Sequence, residues 1–252
     1  MNTKNKELDK YSDRNTERMF SFLTRNHKKT GDTINPLSGE CLHHCIYCYV
    51  KQLKELFPAC KAKYSGPSRI DPKQLAYIKK FTVNDYVFLC DCTDLFGYWV
   101  PTELIKQIFE AIEASPAKFL MLTKNPKRYL ELNKYGIQIP KNCVLGATIE
   151  SNINHLLTTP THDRIEAIQE LSFMVYPTMV SIEPIMKFTD TFPFLIEAIR
   201  PRFVAVGYDN YGNKLIEPTL AETEALIKYL EKAGITVYRK TLREANKQKE
   251  LT

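Results

Sequence analysis

Three closely spaced cysteines have the residue type and spacing of an iron–sulfur ligand set. Cys41, Cys45 and Cys48 are separated by three and then two residues. Thiolates are soft ligands that suit iron–sulfur clusters and zinc. A [4Fe–4S] cluster with a complete protein ligand set needs four cysteines, so these three would leave one iron open to a small molecule. Tyr47 directly precedes the third cysteine, which would place its ring beside that open iron.

The pattern Cys-x-x-x-Cys-x-aromatic-Cys resembles the signature of the radical S-adenosylmethionine (SAM) superfamily. The resemblance implies that the open iron chelates the amino and carboxylate groups of SAM. It implies that an electron from the cluster cleaves SAM to a 5′-deoxyadenosyl radical, which abstracts a hydrogen atom, and that Tyr47 lies near the adenine. It further implies an external electron donor, a flavodoxin- or ferredoxin-like protein.

The resemblance extends beyond the cysteines to about residues 31–240. The stretch from Asn35 to Tyr49 is similar to the spore photoproduct lyase-like branch of the superfamily. Later segments resemble a phage- and archaea-associated radical SAM family of unknown function. These segments are residues 94–96, 122–126, 146–150 and 181–184.

Two other interpretations of the cysteines remain open. His43 and His44 could complete a Cys3His zinc site, although structural zinc modules usually divide their ligands into two separated pairs. A disulfide framework is disfavoured, because the chain has seven cysteines, an odd number, and its polar N-terminus does not have the pattern of a secretory segment.

Composition and charge place further limits on the class of protein. The 252 residues suit one domain, 44% are hydrophobic, and no run of about 18 apolar residues predicts a membrane span. We expect a cytoplasmic protein without membrane association. The net charge of +6 is concentrated in residues 1–30, 51–63 and 239–252. We predict a basic N-terminal extension at 1–30, a core domain at 31–240 and a basic C-terminal tail at 241–252. Solvated, mobile tails are the alternative interpretation of the two termini.

Apolar runs and helical periodicities alternate along the core domain, which predicts parallel βα units. The resemblance implies a partial (β/α)6 TIM-type barrel of the radical SAM type, and the pattern adds a C-terminal strand. The predicted strands are residues 33–35, 86–90, 118–123, 143–150, 178–182, 203–206 and 235–238. The predicted helices are residues 46–57, 72–81, 102–114, 126–133, 162–171, 190–199 and 219–232, and residues 58–70 are predicted to form a loop.

Polar residues follow each predicted strand, where barrel enzymes carry their active sites. SAM has a carboxylate that Lys124 could neutralise, unless that lysine forms a surface ion pair. Its amino group needs acceptors, for which Asp91 and Thr93 are the candidates; other superfamily members carry Gly-Gly-Glu there, and this chain does not. The resemblance implies ribose binding from the end of the fourth strand, for which Glu150 and Asn152 are suited. The further predicted cofactor-binding residues are Thr148, Glu150, Asn152, Ser181 and Glu183.

The substrate is the least constrained part of the prediction. Cys92 lies just beyond a predicted strand and could donate a hydrogen atom to a product radical, or it could be a structural thiol. The basic stretches favour a nucleic acid, with Tyr64, Tyr208 and Tyr211 as stacking faces for unpaired bases. The tyrosines could instead pack inside the protein. A peptide or a small metabolite is the alternative substrate.

Overall fold

The computed structural model describes residues 33–153 and 159–245 of the chain. It contains nine strands and eight α-helices in this part, together with one short 3-10 helix. The strands are β1 (Thr33–Ile34), β2 (Leu37–Ser38), β3 (Arg69–Ile70), β4 (Tyr86–Leu89), β5 (Lys118–Thr123), β6 (Cys143–Thr148), β7 (Thr178–Ile182), β8 (Phe203–Val206) and β9 (Thr236–Arg239). The helices are α1 (Tyr49–Leu56), α2 (Pro58–Lys63), α3 (Pro72–Tyr77), α4 (Thr102–Glu113), α5 (Lys127–Lys134), α6 (Thr161–Phe173), α7 (Phe192–Ile199) and α8 (Leu220–Lys232).

Seven strands form one all-parallel sheet in the order β1-β4-β5-β6-β7-β8-β9. Every hydrogen-bonded pair in it is parallel, as in the register Leu120↔Val144 between β5 and β6. From β4 onward the sheet order follows the chain order, and helices α4 to α8 separate successive strands. The predicted alternation of parallel strands and helices is therefore confirmed. All carboxyl ends of the strands lie at one edge of the sheet, which brings the residues that follow them together.

The sheet is buried on both faces. Phe119 and Met121 of β5 belong to the large core shared with the helices, which includes Ile108 and Ile168. Leu120, between them in sequence, points to the opposite face and packs in a smaller cluster with neighbouring strands. Successive side chains of a strand point to opposite faces, so a strand buried on both sides must be apolar throughout. This explains the unbroken apolar runs in the sequence.

The segment predicted as a loop at residues 58–70 contains regular structure. Pro58 ends α1 and occupies the first turn of α2, where a missing backbone N–H costs little. Further on, β3 pairs antiparallel with β2 in a separate two-stranded sheet. Each of these strands is two residues long, which is too short for an alternating pattern to be visible in the sequence.

Gly39 holds the turn that leads from β2 to the cysteines. Its φ is +111°, and a Cβ atom at this position would lie 2.6 Å from the carbonyl oxygen of Pro67. Its N–H donates to the carbonyl of Lys63 at 3.0 Å. The close backbone contact requires a glycine, and it fixes the start of the cysteine loop against the end of α2.

The predicted basic N-terminal extension, residues 1–30, lies entirely outside the described residues. Residues 246–252 of the predicted C-terminal tail also lie outside them. Within residues 33–153 and 159–245, no helix combines the length and apolar character needed to cross a membrane.

Candidate active site

A cavity of about 620 Å³ lies at the carboxyl edge of the seven-stranded sheet. We call it the strand-end cavity. Residues that follow β4, β5, β7, β8 and β9 line it, together with the cysteine loop. The lining includes Cys41, His43, Cys45, Tyr47, Cys48, Tyr49, Cys90, Asp91, Cys92, Thr93, Asp94, Thr123, Lys124, Thr148, Glu183, Tyr208, Asp209, Asn210, Tyr211 and Lys240.

The three clustered cysteines all line this cavity. All seven cysteines lie in the described part of the chain and are free thiols. Cys48 is the N-cap residue of α1, and its N–H donates to the carbonyl of Cys45 at 3.2 Å. The Lys51 ammonium donates to the same carbonyl at 3.1 Å. The helix start and this lysine therefore hold the cysteine loop in shape.

Burial keeps two of these thiols protonated in the protein alone. It raises the pKa of Cys41 to about 12, with the negative charge of Asp94 as the second cause. Burial also raises the pKa of Cys45, although the Lys124 charge opposes the rise. A metal ligand must be a thiolate, so metal binding at this loop would release protons.

His43 connects the cysteine loop to the sheet through Asp94. The Nε2 atom of His43 lies 2.7 Å from Oδ2 of Asp94, and both side chains are buried. Asp94 also accepts from the Thr123 hydroxyl at 2.8 Å and from the Lys124 backbone N–H at 2.9 Å. Burial disfavours the charged form of Asp94, but these hydrogen bonds, led by that from His43, hold its pKa below its usual value.

Glu150 is the centre of a second buried network beside the cysteines. Its Oε1 accepts from the Tyr47 hydroxyl and lies 3.1 Å from Lys124 Nζ. Its Oε2 lies 2.6 Å from Arg164 Nη1, which also donates to the carbonyl of Thr148 at 2.6 Å. The Lys124 ammonium lies 5.0 Å from the centre of the Tyr47 ring. Glu150 thus fixes both the aromatic ring and the cation that face the cavity.

Cys92 faces the cavity between two tyrosines. The Tyr49 hydroxyl lies 3.8 Å from its Sγ and donates to the Asp91 carbonyl at 2.8 Å. Tyr64 is also buried near the thiol and is one of the groups that act on its pKa. Burial, followed by the charge of Asp91, raises the pKa of Cys92, so the sulfur carries its hydrogen. The Asn35 side chain holds this turn by donating to Asp91 Oδ1 at 2.6 Å and accepting from the Cys92 N–H at 3.3 Å.

Residues that follow β7, β8 and β9 form the part of the cavity that we call the distal wall, consisting of Glu183, residues 208–211 and Lys240. Lys240 Nζ lies 3.0 Å from Glu183 Oε2. Asp209 is buried and accepts from the backbone N–H groups of Tyr211 at 3.1 Å and Asn213 at 2.6 Å. The Tyr211 ring stacks on Tyr49 at 5.6 Å between centroids.

The structure brings together most of the residues predicted from the sequence. Glu150 lies directly behind the lining, since its partners Tyr47 and Lys124 face the cavity. Asn152 and Ser181 are not part of the lining. The Asn152 amide bonds to Thr189 and Thr191, and the buried Ser181 hydroxyl has no hydrogen-bond partner within the described residues. The predicted residues that line the cavity are Tyr47, Asp91, Cys92, Thr93, Lys124, Thr148 and Glu183.

Two of the tyrosines predicted as stacking faces are packed inside the protein. Tyr208 is fully buried, its hydroxyl lies 2.7 Å from the Thr223 hydroxyl, and Arg243 covers its ring at 5.0 Å. Tyr64 is buried with its hydroxyl towards Cys92. Of the three predicted tyrosines, only Tyr211, which is 48% exposed, has a ring that is accessible for stacking.

Sequence reasoning missed Arg164, which is completely buried. It lies within α6, on the same side as Ile168 and Leu171, at spacings of four and seven residues. A charged residue on the apolar side of a predicted helix is a signal that could have found it. Asn35 and His43 were also missed as structural partners of Asp91 and Asp94, because such partners are distant in sequence.

The fold and site together define a parallel α/β protein with a cysteine-lined cavity at the strand ends. A family model described as "Protein of unknown function (DUF5131)" matches residues 26–207, so the chain belongs to that family. No curated protein matches the chain. A solved structure of a spore photoproduct lyase double mutant with bound AdoMet and dinucleoside spore photoproduct is similar in fold. The TM-score is 0.57 at 14% sequence identity, covering 84% of this chain and 76% of that chain.

Proposed function

We propose that the protein is a radical SAM enzyme. The observation that carries the proposal is the convergence of three free thiols on a cavity at the carboxyl ends of a parallel sheet. The similarity in fold to spore photoproduct lyase, whose structure contains AdoMet, supports it. As part of this proposal, the seven-stranded sheet curves into a partial barrel. Residues that follow strands across the whole sheet line one cavity, and the Tyr49–Tyr211 stack joins the cysteine helix to the loop after β8.

The donor set suits a [4Fe–4S] cluster better than a zinc ion. In a cluster each thiolate binds a different iron, so the thiolates need not converge on one point. In the described parts of the chain, no three His, Cys, Asp or Glu side chains are grouped so that they could hold one metal ion. Bound by Cys41, Cys45 and Cys48, the cluster would supply the electron that cleaves SAM.

We assign SAM to the part of the cavity beside Tyr47. Lys124 offers the cation for the SAM carboxylate, since it lines the cavity and its ammonium is held there 3.1 Å from Glu150 Oε1. Thr93 and Asp91 offer acceptors for the amino group, and Thr148 offers a hydroxyl. Both oxygens of Glu150 already accept from protein side chains. Glu150 is therefore a positioning residue for Tyr47 and Lys124 in this proposal.

Cys92 is placed to donate a hydrogen atom to a substrate radical. Its sulfur lines the cavity, and its high pKa keeps the S–H bond intact near neutral pH. Transfer would break that S–H bond and form a C–H bond on the product, leaving the unpaired electron on the Cys92 sulfur. The same external electron donor that reduces the cluster would restore the thiol, together with a proton.

We propose a nucleic-acid substrate, with a peptide or a small metabolite as the alternative. The similar solved structure contains a dinucleoside, and Tyr211 offers an exposed ring at the cavity. In the basic stretch 51–63, Lys51 and Lys61 are exposed, whereas Lys54 pairs with Glu40 and Lys63 with Asp71. Binding through phosphates must weaken steeply with salt. Titration of a labelled single-stranded oligonucleotide at two salt concentrations tests this, and salt-independent binding would favour the alternative.

Anaerobic reconstitution with iron and sulfide tests the enzyme class. Wild-type protein should bind four irons per chain, and its electronic spectrum should change when SAM is added. After reduction by flavodoxin it should form 5′-deoxyadenosine and methionine. Ala variants of Cys41, Cys45 or Cys48 should lose the cluster, while Cys60→Ala, a control outside the cavity, should keep it. Full iron content in all three variants would refute the assignment.

A further inference from the structure

The distal wall contains an ion pair that is almost completely buried. Lys240 Nζ lies 3.0 Å from Glu183 Oε2, and the two side chains are 3% and 12% exposed. Glu183 directly follows β7 and Lys240 directly follows β9, so the pair spans the end of the strand between them. Both residues line the strand-end cavity.

Gly207, at the end of β8, provides the room for this pair. A Cβ atom on Gly207 would lie 3.0 Å from Lys240 Cβ and 3.3 Å from Glu183 Oε1. A buried ion pair of this kind adds little net stability, because removing two charges from water costs about as much as their attraction returns. Stability alone therefore explains its place in the cavity wall poorly, and a few polar groups placed in a pocket are what fixes the orientation of a ligand.

The pair has the hydrogen-bonding pattern of a recognition site for a planar heterocycle. A carboxylate only accepts hydrogen bonds and an ammonium only donates them. Side by side, they complement a ring edge on which an acceptor atom adjoins an N–H group. Each nucleobase has such an edge, with adjacent donor and acceptor atoms.

An aromatic surface lies next to the pair. The Tyr211 ring is stacked on Tyr49 with an interplanar angle of 16°, and it lines the cavity while remaining half exposed. Asp209 fixes the loop that carries it, through the N–H groups of Tyr211 and Asn213. The Tyr49 hydroxyl lies 3.8 Å from Cys92 Sγ, so the Tyr49–Tyr211 stack brings the Tyr211 ring close to the thiol. Such a fixed ring is a stacking platform for a base.

We propose that Glu183, Lys240 and Tyr211 form a nucleobase-binding subsite in the distal wall. Lys240 donates to the acceptor atom of the base edge, Glu183 accepts from the adjacent N–H group, and the ring of the base stacks on Tyr211. The subsite holds the base on the side of the cavity that carries Cys92. This assignment rests on the proposed function, which it deepens by placing the substrate at the distal wall and assigning Glu183 to the substrate.

The experiment compares two fluorescently labelled hexanucleotides on the full-length reconstituted protein with SAM present. One is a mixed-sequence single strand containing all four bases, and the other is an abasic strand with the same number of phosphates. Wild-type protein should bind the first strand at least about ten-fold more tightly, as expected for a hydrogen bond to charged groups plus stacking. Lys240→Met, Glu183→Gln and Tyr211→Ala should each reduce this ratio several-fold.

Lys187→Met is the matched control, because Lys187 forms an exposed ion pair with Glu222 outside the cavity. It should leave the ratio unchanged. Thermal unfolding identifies variants that fail to fold, and the conservative Glu183→Gln keeps the test valid if Lys240→Met is unstable. Equal binding of both strands by wild-type protein, or an unchanged ratio in the folded Glu183→Gln and Tyr211→Ala variants, would overturn the subsite and favour a peptide or metabolite. The proposed function is tested separately, by measuring whether the reduced protein cleaves SAM when no oligonucleotide is present.

Discussion

Arg164 Nη1 lies 2.6 Å from Glu150 Oε2, and essentially no surface of either residue is exposed to solvent. The arginine comes from α6 and the glutamate follows β6, so the pair fixes a helix to the strand end that faces the cysteines. The pair also affects the cavity indirectly, because the other carboxylate oxygen of Glu150 holds Tyr47 and Lys124 in place. The pair therefore combines a structural role with a positioning role.

Removal of the arginine should destabilise the fold strongly. Arg164→Met leaves the buried Glu150 carboxylate without its closest cation, and such a change costs about 3–5 kcal/mol. The free energy of unfolding in urea measures this. Arg239→Met is the control, because Arg239 pairs with Glu224 and Glu231 at the exposed surface, where a pair contributes about 0–1 kcal/mol. A loss under 1 kcal/mol for Arg164→Met would show that the pair is unimportant to stability.

In the proposed cofactor site, Lys124→Met should weaken SAM binding by about 1–3 kcal/mol, since a buried charged hydrogen bond to the SAM carboxylate would be lost. Isothermal titration of the reconstituted protein with SAM measures the effect. Lys118→Met is the matched control: it removes the same charge from the exposed start of β5, at the opposite end of the strand. Equal affinities in the two variants would remove Lys124 from the cofactor site.

The fold was largely predictable because its determinants are local. The buried strands β5, β7 and β8 appear in the sequence as apolar runs with bounds identical to those in the structure. The cysteine motif could also be recognised, since its three members are close in sequence. The partners that hold the site were not predictable. His43 and Asp94 are 51 residues apart, and Tyr47 and Glu150 are 103 apart. Such pairings depend on tertiary packing, which leaves no periodic signal.

The N-cap of α3 should give the protein an acid-sensitive component of stability. Asp71 Oδ1 accepts from the N–H groups of Lys73 and Gln74, and its Oδ2 lies 2.8 Å from Lys63 Nζ. Burial raises the pKa of Asp71, but the bonds from Lys63 and the two N–H groups outweigh it and hold the pKa below its usual value. A carboxyl group with a lowered folded pKa stabilises above its unfolded pKa of about 3.9 and loses this stabilisation as the pH falls through the folded pKa.

Asp71→Ala should therefore lower the free energy of unfolding by about 0.5–2 kcal/mol at pH 7, the usual value of an N-cap. The difference from wild type should shrink below about pH 4 as the wild-type carboxylate is protonated. Urea unfolding at pH 7, 4 and 3 measures both effects. Asp190→Ala, at an exposed position, should change little at any of these pH values. A difference that stays constant down to pH 3 would contradict the role of the charge.

The turn at Gly39 provides a test of how the cysteine loop is supported. Gly39→Ala places a methyl group 2.6 Å from the Pro67 carbonyl oxygen, at a backbone φ of +111°. Gly66→Ala is the matched control, because Gly66 also has a positive φ, of +74°, but a Cβ there meets no atom within 4 Å. Both variants should incur the strain of a positive φ, about 1 kcal/mol. Only Gly39→Ala should force the backbones apart, so it should lose more stability than Gly66→Ala. Because Gly39 lies two residues before Cys41, its variant should also bind less iron on reconstitution. Urea unfolding and iron analysis of both proteins measure these effects, and equal results for the two glycines would show that the close contact does not support the loop.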